Sequence, residues 1–139
     1  MVTRIDGSNP TVMSNLGEAQ MPSWSPDGRS VLYEDSNNDY RLTTLATGRS
    51  RVLSPDGTDF GAALAPDGRT IAYTHGTVPG FLDDYVLKSS LRVRTADGYV
   101  THLPVDALGP GTPSWSPDGS KLAFAGRMVS TQSAETGLD

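Results

Sequence analysis

Few side chains in this sequence are of the types that do chemistry, and their spacing decides what each could do. Asp35, Asn37 and Asp39 alternate in the run Asp-Ser-Asn-Asn-Asp-Tyr, as oxygen ligands do at the start of a calcium loop. The EF-hand pattern then needs Gly at its sixth position and Glu at its twelfth, where this chain has Tyr40 and Ala46. Asp and Asn also build tight turns, so a plain turn is expected here, and the three residues are metal candidates by spacing alone. His75 and His102 fall on different expected strands, with no metal-ligand pattern around either. No Gly-x-Ser-x-Gly elbow is present to present a nucleophile, and Ser25 and Ser116 stand beside turns, where a hydroxyl bonds backbone. Neither a catalytic residue nor a cofactor is therefore expected.

Binding residues are easier to nominate than catalytic ones. The longest insertion runs from 77 to 89 and places Phe81, Leu82 and Tyr85 beside Asp83 and Asp84. Such an apolar and acidic mixture suits a peptide or a basic protein segment, although Phe81 and Leu82 could equally fold back on their own strands. Asp59 and Phe60, in an expected loop from Ser54 to Gly61, join them as candidate partner-binding residues.

Trp24 and Trp115 could stack on a ligand, but their setting argues otherwise. Both belong to the heptapeptide PSWSPDG, which stands at Pro22 to Gly28 and again at Pro113 to Gly119. A worn copy, AALAPDG, covers Ala62 to Gly68 and has Leu64 in place of tryptophan, giving intervals of 40 and 51 residues. In each copy the proline (Pro26, Pro66, Pro117) presets φ and the aspartate (Asp27, Asp67, Asp118) bonds its own backbone. The glycine (Gly28, Gly68, Gly119) accepts a positive φ, which together makes a hairpin turn. A tryptophan just ahead of that turn, replaced by leucine in one copy, is expected to wedge between adjacent repeats.

The elements around the turns follow from alternation. Val31 and Tyr33, Ile71 and Tyr73, and Leu122 and Phe124 each lie two apart, on one face of a strand, while Leu32, Ala72 and Ala123 face the other way. These strands are expected to be buried on both faces. Two further alternating runs with glycine turns at Gly48 and Gly98 complete a four-stranded antiparallel meander in each unit. Repeated about an axis, such meanders cover one another's faces, which is the logic of a β-propeller blade.

The pattern PSWSPDG followed by Lys-Leu-Ala-Phe resembles the WD40-like repeat of TolB-like β-propellers, shared by the propellers of prolyl-oligopeptidase and dipeptidyl-peptidase type enzymes. The resemblance covers most of the chain. It implies an all-β propeller, a scaffold that binds protein or peptide, and a cell-envelope setting, periplasmic or secreted. It equally admits a fragment of a serine peptidase's gating propeller, or a propeller that binds calcium or another small ligand.

Composition agrees with that class. The 139 residues include 15 Gly and 10 Pro, and 36% are hydrophobic against 19% charged, which suits short strands and tight turns. A net charge of −5 disfavours a broad phosphate-binding surface, so nucleic acid is not an expected partner. With no cysteine, disulfides and thiolate metal sites are excluded and the compartment stays open. No run approaches the roughly 18 apolar residues of a membrane span, and Met1 to Pro10 lacks a signal peptide's apolar core.

Counting strands divides the chain into residues 1–17, the last two strands of a split blade, and 18–54, the blade with the first PSWSPDG. Next come 55–106, a blade carrying the degenerate turn and the insertion, 107–126, the first two strands of another blade, and 127–139, a flexible tail. Twelve strands amount to three blades, fewer than the four to eight of a closed ring. Two copies exchanging terminal strands could complete a six-bladed ring as a homodimer, or the chain could be part of a longer propeller.

Overall fold

The computed structural model describes residues 1–12, 19–54, 59–76, 89–105, 107–108 and 111–128, and no helix occurs among them. Val2 and Thr11 exchange backbone hydrogen bonds of 2.8 and 2.7 Å across a hairpin. Its turn, with Arg4 N on Ser8 O and Gly7 N on Arg4 O, repeats that formed by Thr95, Gly98 and Tyr99. An antiparallel meander follows: β1 (Gln20–Trp24), β2 (Ser30–Glu34), β3 (Tyr40–Thr44) and β4 (Ser50–Ser54). A second meander comprises β5 (Asp59–Leu64), β6 (Ile71–Gly76), β7 (Ser89–Arg94) and β8 (Val100–His102). Four short strands end the described chain: β9 (Ala107–Leu108), β10 (Ser114–Trp115), β11 (Leu122–Ala123) and β12 (Arg127–Met128). Of these, β10 pairs with β11 and β9 with β12.

The first turn of each unit is the same object three times. Ser25, Ala65 and Ser116 each donate N–H to the residue five positions on and accept from Gly28, Gly68 and Gly119 at 2.9 Å. Those glycines have φ of 66, 67 and 72°, a left-handed conformation that costs glycine nothing sterically. Asp27, Asp67 and Asp118 accept the N–H two residues on at 3.0, 2.8 and 3.1 Å. Local chemistry alone therefore closes each hairpin.

The core lies between the first two sheets. Register sets Leu32 opposite Leu42, and Glu34 opposite Tyr40, so Leu32, Leu42 and Tyr40 share the face that looks toward the second sheet. Leu53 of β4 joins them, and Leu64, Ile71 and Tyr73 answer from the second sheet. Burying each such side chain is worth about 1.5–3 kcal/mol, which makes this apolar seam the main tie between the sheets. The opposite face of the second sheet meets the third unit. The indole N–H of Trp115 donates to Ala63 O at 3.1 Å, and Thr74 Oγ1 donates to Gly111 O at 3.3 Å. Gly61, with φ of 63°, sits so close to Thr112 that an added Cβ would stand 2.8 Å from its Cα.

Val31, Leu32 and Tyr33, and likewise Ile71, Ala72 and Tyr73, are buried on both faces, but Ala123 of β11 is exposed, because only one side of that strand meets another sheet. Arg127 and Met128, assigned above to a tail, instead form β12 and lengthen the hairpin begun by β11. Asp59 and Phe60, assigned to a loop, are the first residues of β5, opposite His75 and Thr74. A bulge between Phe60 and Ala63 interrupts the alternation there, which is why their strand character does not show in the sequence pattern.

Candidate functional site

The first strands of all three units contribute to one groove. Ser23, Trp24 and Pro26 line it from β1 and its turn, Ala62, Ala63, Leu64 and Pro66 from the second unit, and Thr112 to Pro117 from the third. Its volume is about 480 Å³. Both tryptophans of the chain and Pro26, Pro66, Pro113 and Pro117 are in its wall. The repeat builds this wall automatically, because every copy places an apolar residue and a proline on either side of the same serine or alanine. Gly119 also packs its turn onto Pro66, with an added Cβ at 3.6 Å from the proline ring.

The two tryptophans differ within the groove. Trp115 is half-buried and anchored by its indole N–H on Ala63 O, as expected of a wedge between adjacent units. Trp24 departs from that expectation: it is 56% exposed, and every residue of β1 is exposed with it. The physical reason is a missing neighbour, since among the described residues no first strand of a preceding unit lies where β5 lies for Trp115. A large indole left open beside prolines and small apolar residues is suited to contact a ligand, a role the sequence pattern had assigned to packing.

The turn residues are occupied by their own turns. Ser25 Oγ donates to Asp27 Oδ1 at 2.6 Å and accepts Ser30 N–H at 2.9 Å, and Ser116 does the same with Asp118 and Lys121. In the degenerate copy Ala65 has no hydroxyl, and Thr70 Oγ1 donates to Asp67 Oδ2 at 2.6 Å instead. Hydrogen bonds from Ser116 and from the N–H and hydroxyl of Ser120 lower the Asp118 pKa from 3.8 to about 2.

Asp35, Asn37 and Asp39 form a turn between β2 and β3. Asp35 Oδ1 accepts the N–H of Asn37 at 2.9 Å and of Asp39 at 3.1 Å, while Oδ2 is ion-paired to Arg41. Burial pushes this carboxyl up, but Arg41 and the two backbone donors outweigh it and hold it below the usual range. Both carboxylate oxygens are thus engaged, and no cluster of three His, Cys, Asp or Glu side chains occurs among the described residues. His75 lies in β6 between Asp59 and Ser90, and His102 is exposed on β8. Phe81, Leu82, Asp83, Asp84 and Tyr85 lie outside the described residues, as do the side chains of Asp59 and Phe60.

No family model matches this chain. Among curated proteins, dipeptidyl-peptidase 5 of Porphyromonas gingivalis is 28% identical over 130 residues, 84% of this chain and 18% of that protein. The chain spans between 18% and 39% of the length of the curated relatives it matches. Among solved structures, a TolB-type protein of Agrobacterium tumefaciens superposes with a TM-score of 0.67 at 26% identity, covering 88% of this chain and 43% of that one. The β-propeller domain of the Trilobed protease from Pyrococcus furiosus has a TM-score of 0.53 at 18% identity, covering 78% and 34%. The fold is therefore an all-β partial propeller, with about three blades' worth of strands.

Proposed function

Because the chain is built from TolB-like β-propeller repeats, we propose that it is a non-catalytic scaffold that holds a peptide or an extended protein segment. The observation that carries this reading is the groove across the three first strands, with an exposed Trp24, an anchored Trp115 and four prolines in its wall. Aromatic-lined grooves take extended, proline-bearing segments well, because such segments are already straight and lose little entropy on docking. Phe81, Leu82, Asp83, Asp84 and Tyr85, with Asp59 and Phe60, provide a second contact surface in this reading, suited to a basic stretch of the same partner. Nucleic acid and membrane insertion are not part of it, and the setting we infer from the repeats is the cell envelope.

The test uses the chain's two tryptophans, both in the groove, as reporters. Peptides are selected by display on the immobilised chain, and the strongest is titrated by intrinsic fluorescence. Saturable binding with an emission shift, weakened about tenfold by Trp24→Ala, is the expected result. Binding that survives Trp24→Ala but is lost in a Phe81→Ala and Tyr85→Ala double variant would move the site to the insertion. A selection that never rises above background would remove the peptide reading.

A second reading is supported by the likeness to dipeptidyl-peptidase 5 and by the exposure of Trp24. In it the chain is part of a larger ring, completed by a second copy or by further blades, and that ring gates a serine peptidase. Light scattering over a dilution series separates the possibilities. A stable mass of twice 14.7 kDa supports a homodimeric ring, whereas a monomer directs attention to coding sequence beside this segment and to a Gly-x-Ser-x-Gly elbow within it.

A further inference from the structure

A second cleft, at the rim of the seam between the first two sheets, gathers three arginines. Arg51 comes from β4, Arg69 from the second Pro-Asp-Gly turn and Arg94 from the end of β7; with Leu53, Ile71 and Gly98 they line a cavity of about 260 Å³. Their convergence follows from register. Arg51 stands opposite Leu42 and Arg94 opposite Ile71, so both lie on the faces whose apolar residues form the shared core. Gly98 (φ 89°) leaves its side-chain position open, and an Arg94 guanidinium nitrogen sits 3.8 Å from where a Cβ would be.

Among the described residues these guanidinium groups make no side-chain hydrogen bond or ion pair, and the ion pair found there is Arg41 with Asp35. The acids beside them accept hydrogen bonds from their own turns. Asp67 accepts from the N–H groups of Arg69 and Thr70 and from the Thr70 hydroxyl, and Asp97 accepts from the Thr95 hydroxyl. Asp97 in the wall and Asp67, which attracts Arg69, offset two of the three positive charges, and the cleft keeps a net positive charge in a chain whose net charge is −5. An anion between the guanidinium groups would neutralise that remaining charge.

We propose that this cleft binds a phosphoryl group, carried by inorganic phosphate or by a small phosphomonoester. A guanidinium offers paired, coplanar N–H donors that match two oxygens of a phosphate, and three residues that carry one line this cleft. The site is one of recognition; no bond is made or broken in it. It is separate from the aromatic groove, which β1, β5 and β10 and their turns line.

The test is a titration of the full chain with inorganic phosphate and with glycerol 3-phosphate at constant ionic strength, followed by the arginine side-chain Nε–Hε NMR signals. Saturable shifts at Arg51, Arg69 and Arg94 are expected, with binding about tenfold weaker in Arg51→Ala and in Arg94→Ala and unchanged in Arg49→Ala. Saturation by phosphate alone identifies a free anion as ligand, and saturation by both identifies a phosphomonoester; either supports the site. Arg94→Lys, which keeps the charge and loses the fork, stands in if Arg94→Ala fails to fold. Shifts that stay linear to the highest concentration, or equal affinity in the native chain and these variants, would overturn the proposal.

Discussion

β1 and β10 end at the tryptophan of the same Pro-Ser-Trp-Ser-Pro-Asp-Gly sequence and lead into turns with the same hydrogen bonds, yet one tryptophan is exposed and the other is bonded to the neighbouring sheet. β5, with leucine at that position, resembles β10: Leu64 is buried in the core seam against the first sheet. The difference lies in what stands on the preceding side. β5 has the first sheet there, β10 has the second, and β1 has no described counterpart. A repeat sequence therefore specifies a wedge, and its neighbour decides whether that wedge is structural or available to a ligand.

Paired truncations separate the two tryptophans most directly. Trp115→Ala should destabilise the chain by about 3 kcal/mol, because it removes packing and leaves Ala63 O without its indole donor. Trp24→Ala should cost under about 1 kcal/mol. Urea unfolding of the two variants checks this, and equal costs would show that both indoles are wedges. Two glycines differ in the same way. Gly61→Ala drives a Cβ to 2.7 Å from Thr112 Oγ1 in a left-handed backbone, and about 2 kcal/mol should be lost at the seam between the second and third units. Gly28→Ala meets only open space, so its cost should be the backbone strain alone, about 1 kcal/mol; thermal melts rank the pair.

Smaller effects are expected where the three turns differ internally. Ser25→Ala removes two hydrogen bonds, but Ala65 already occupies the equivalent position in the second unit, so the loss should stay near 1 kcal/mol by urea titration. The acid response is the finest discriminator. Asp118 has a folded pKa of about 2 against an ordinary 3.8, so its stabilising contribution is complete above about pH 4. It is lost as pH falls through about 2, because below the ordinary value the unfolded chain binds the proton first. Carboxyl NMR titration should place the Asp118 midpoint near 2, and a midpoint at the ordinary value would show that the serine donors of its turn do not form in solution.

Much of this architecture was legible in the sequence, and the legible parts share a property. The turn at Asp118 depends on Ser116, Gly119 and Ser120, all within a few residues, and alternation at Ile71 and Tyr73 records the pleat of a single strand. Asp35 likewise reads as a turn residue because its donors, Asn37 and Asp39, are local. Asp59 and Phe60 were misplaced because a bulge hides the pleat, and β12 because two residues carry no period.

What the sequence determined by itself was thus the three Pro-Asp-Gly turns, the four strands of each complete meander and a large apolar residue before each of those turns. Tertiary structure alone decided that Trp24 lies open while Trp115 does not, that four prolines and two indoles share a groove, and that Arg51, Arg69 and Arg94 meet in one cleft. The reason is range: a turn is closed by hydrogen bonds between near neighbours, whereas burial and the convergence of like charges depend on sheets packing across dozens of intervening residues.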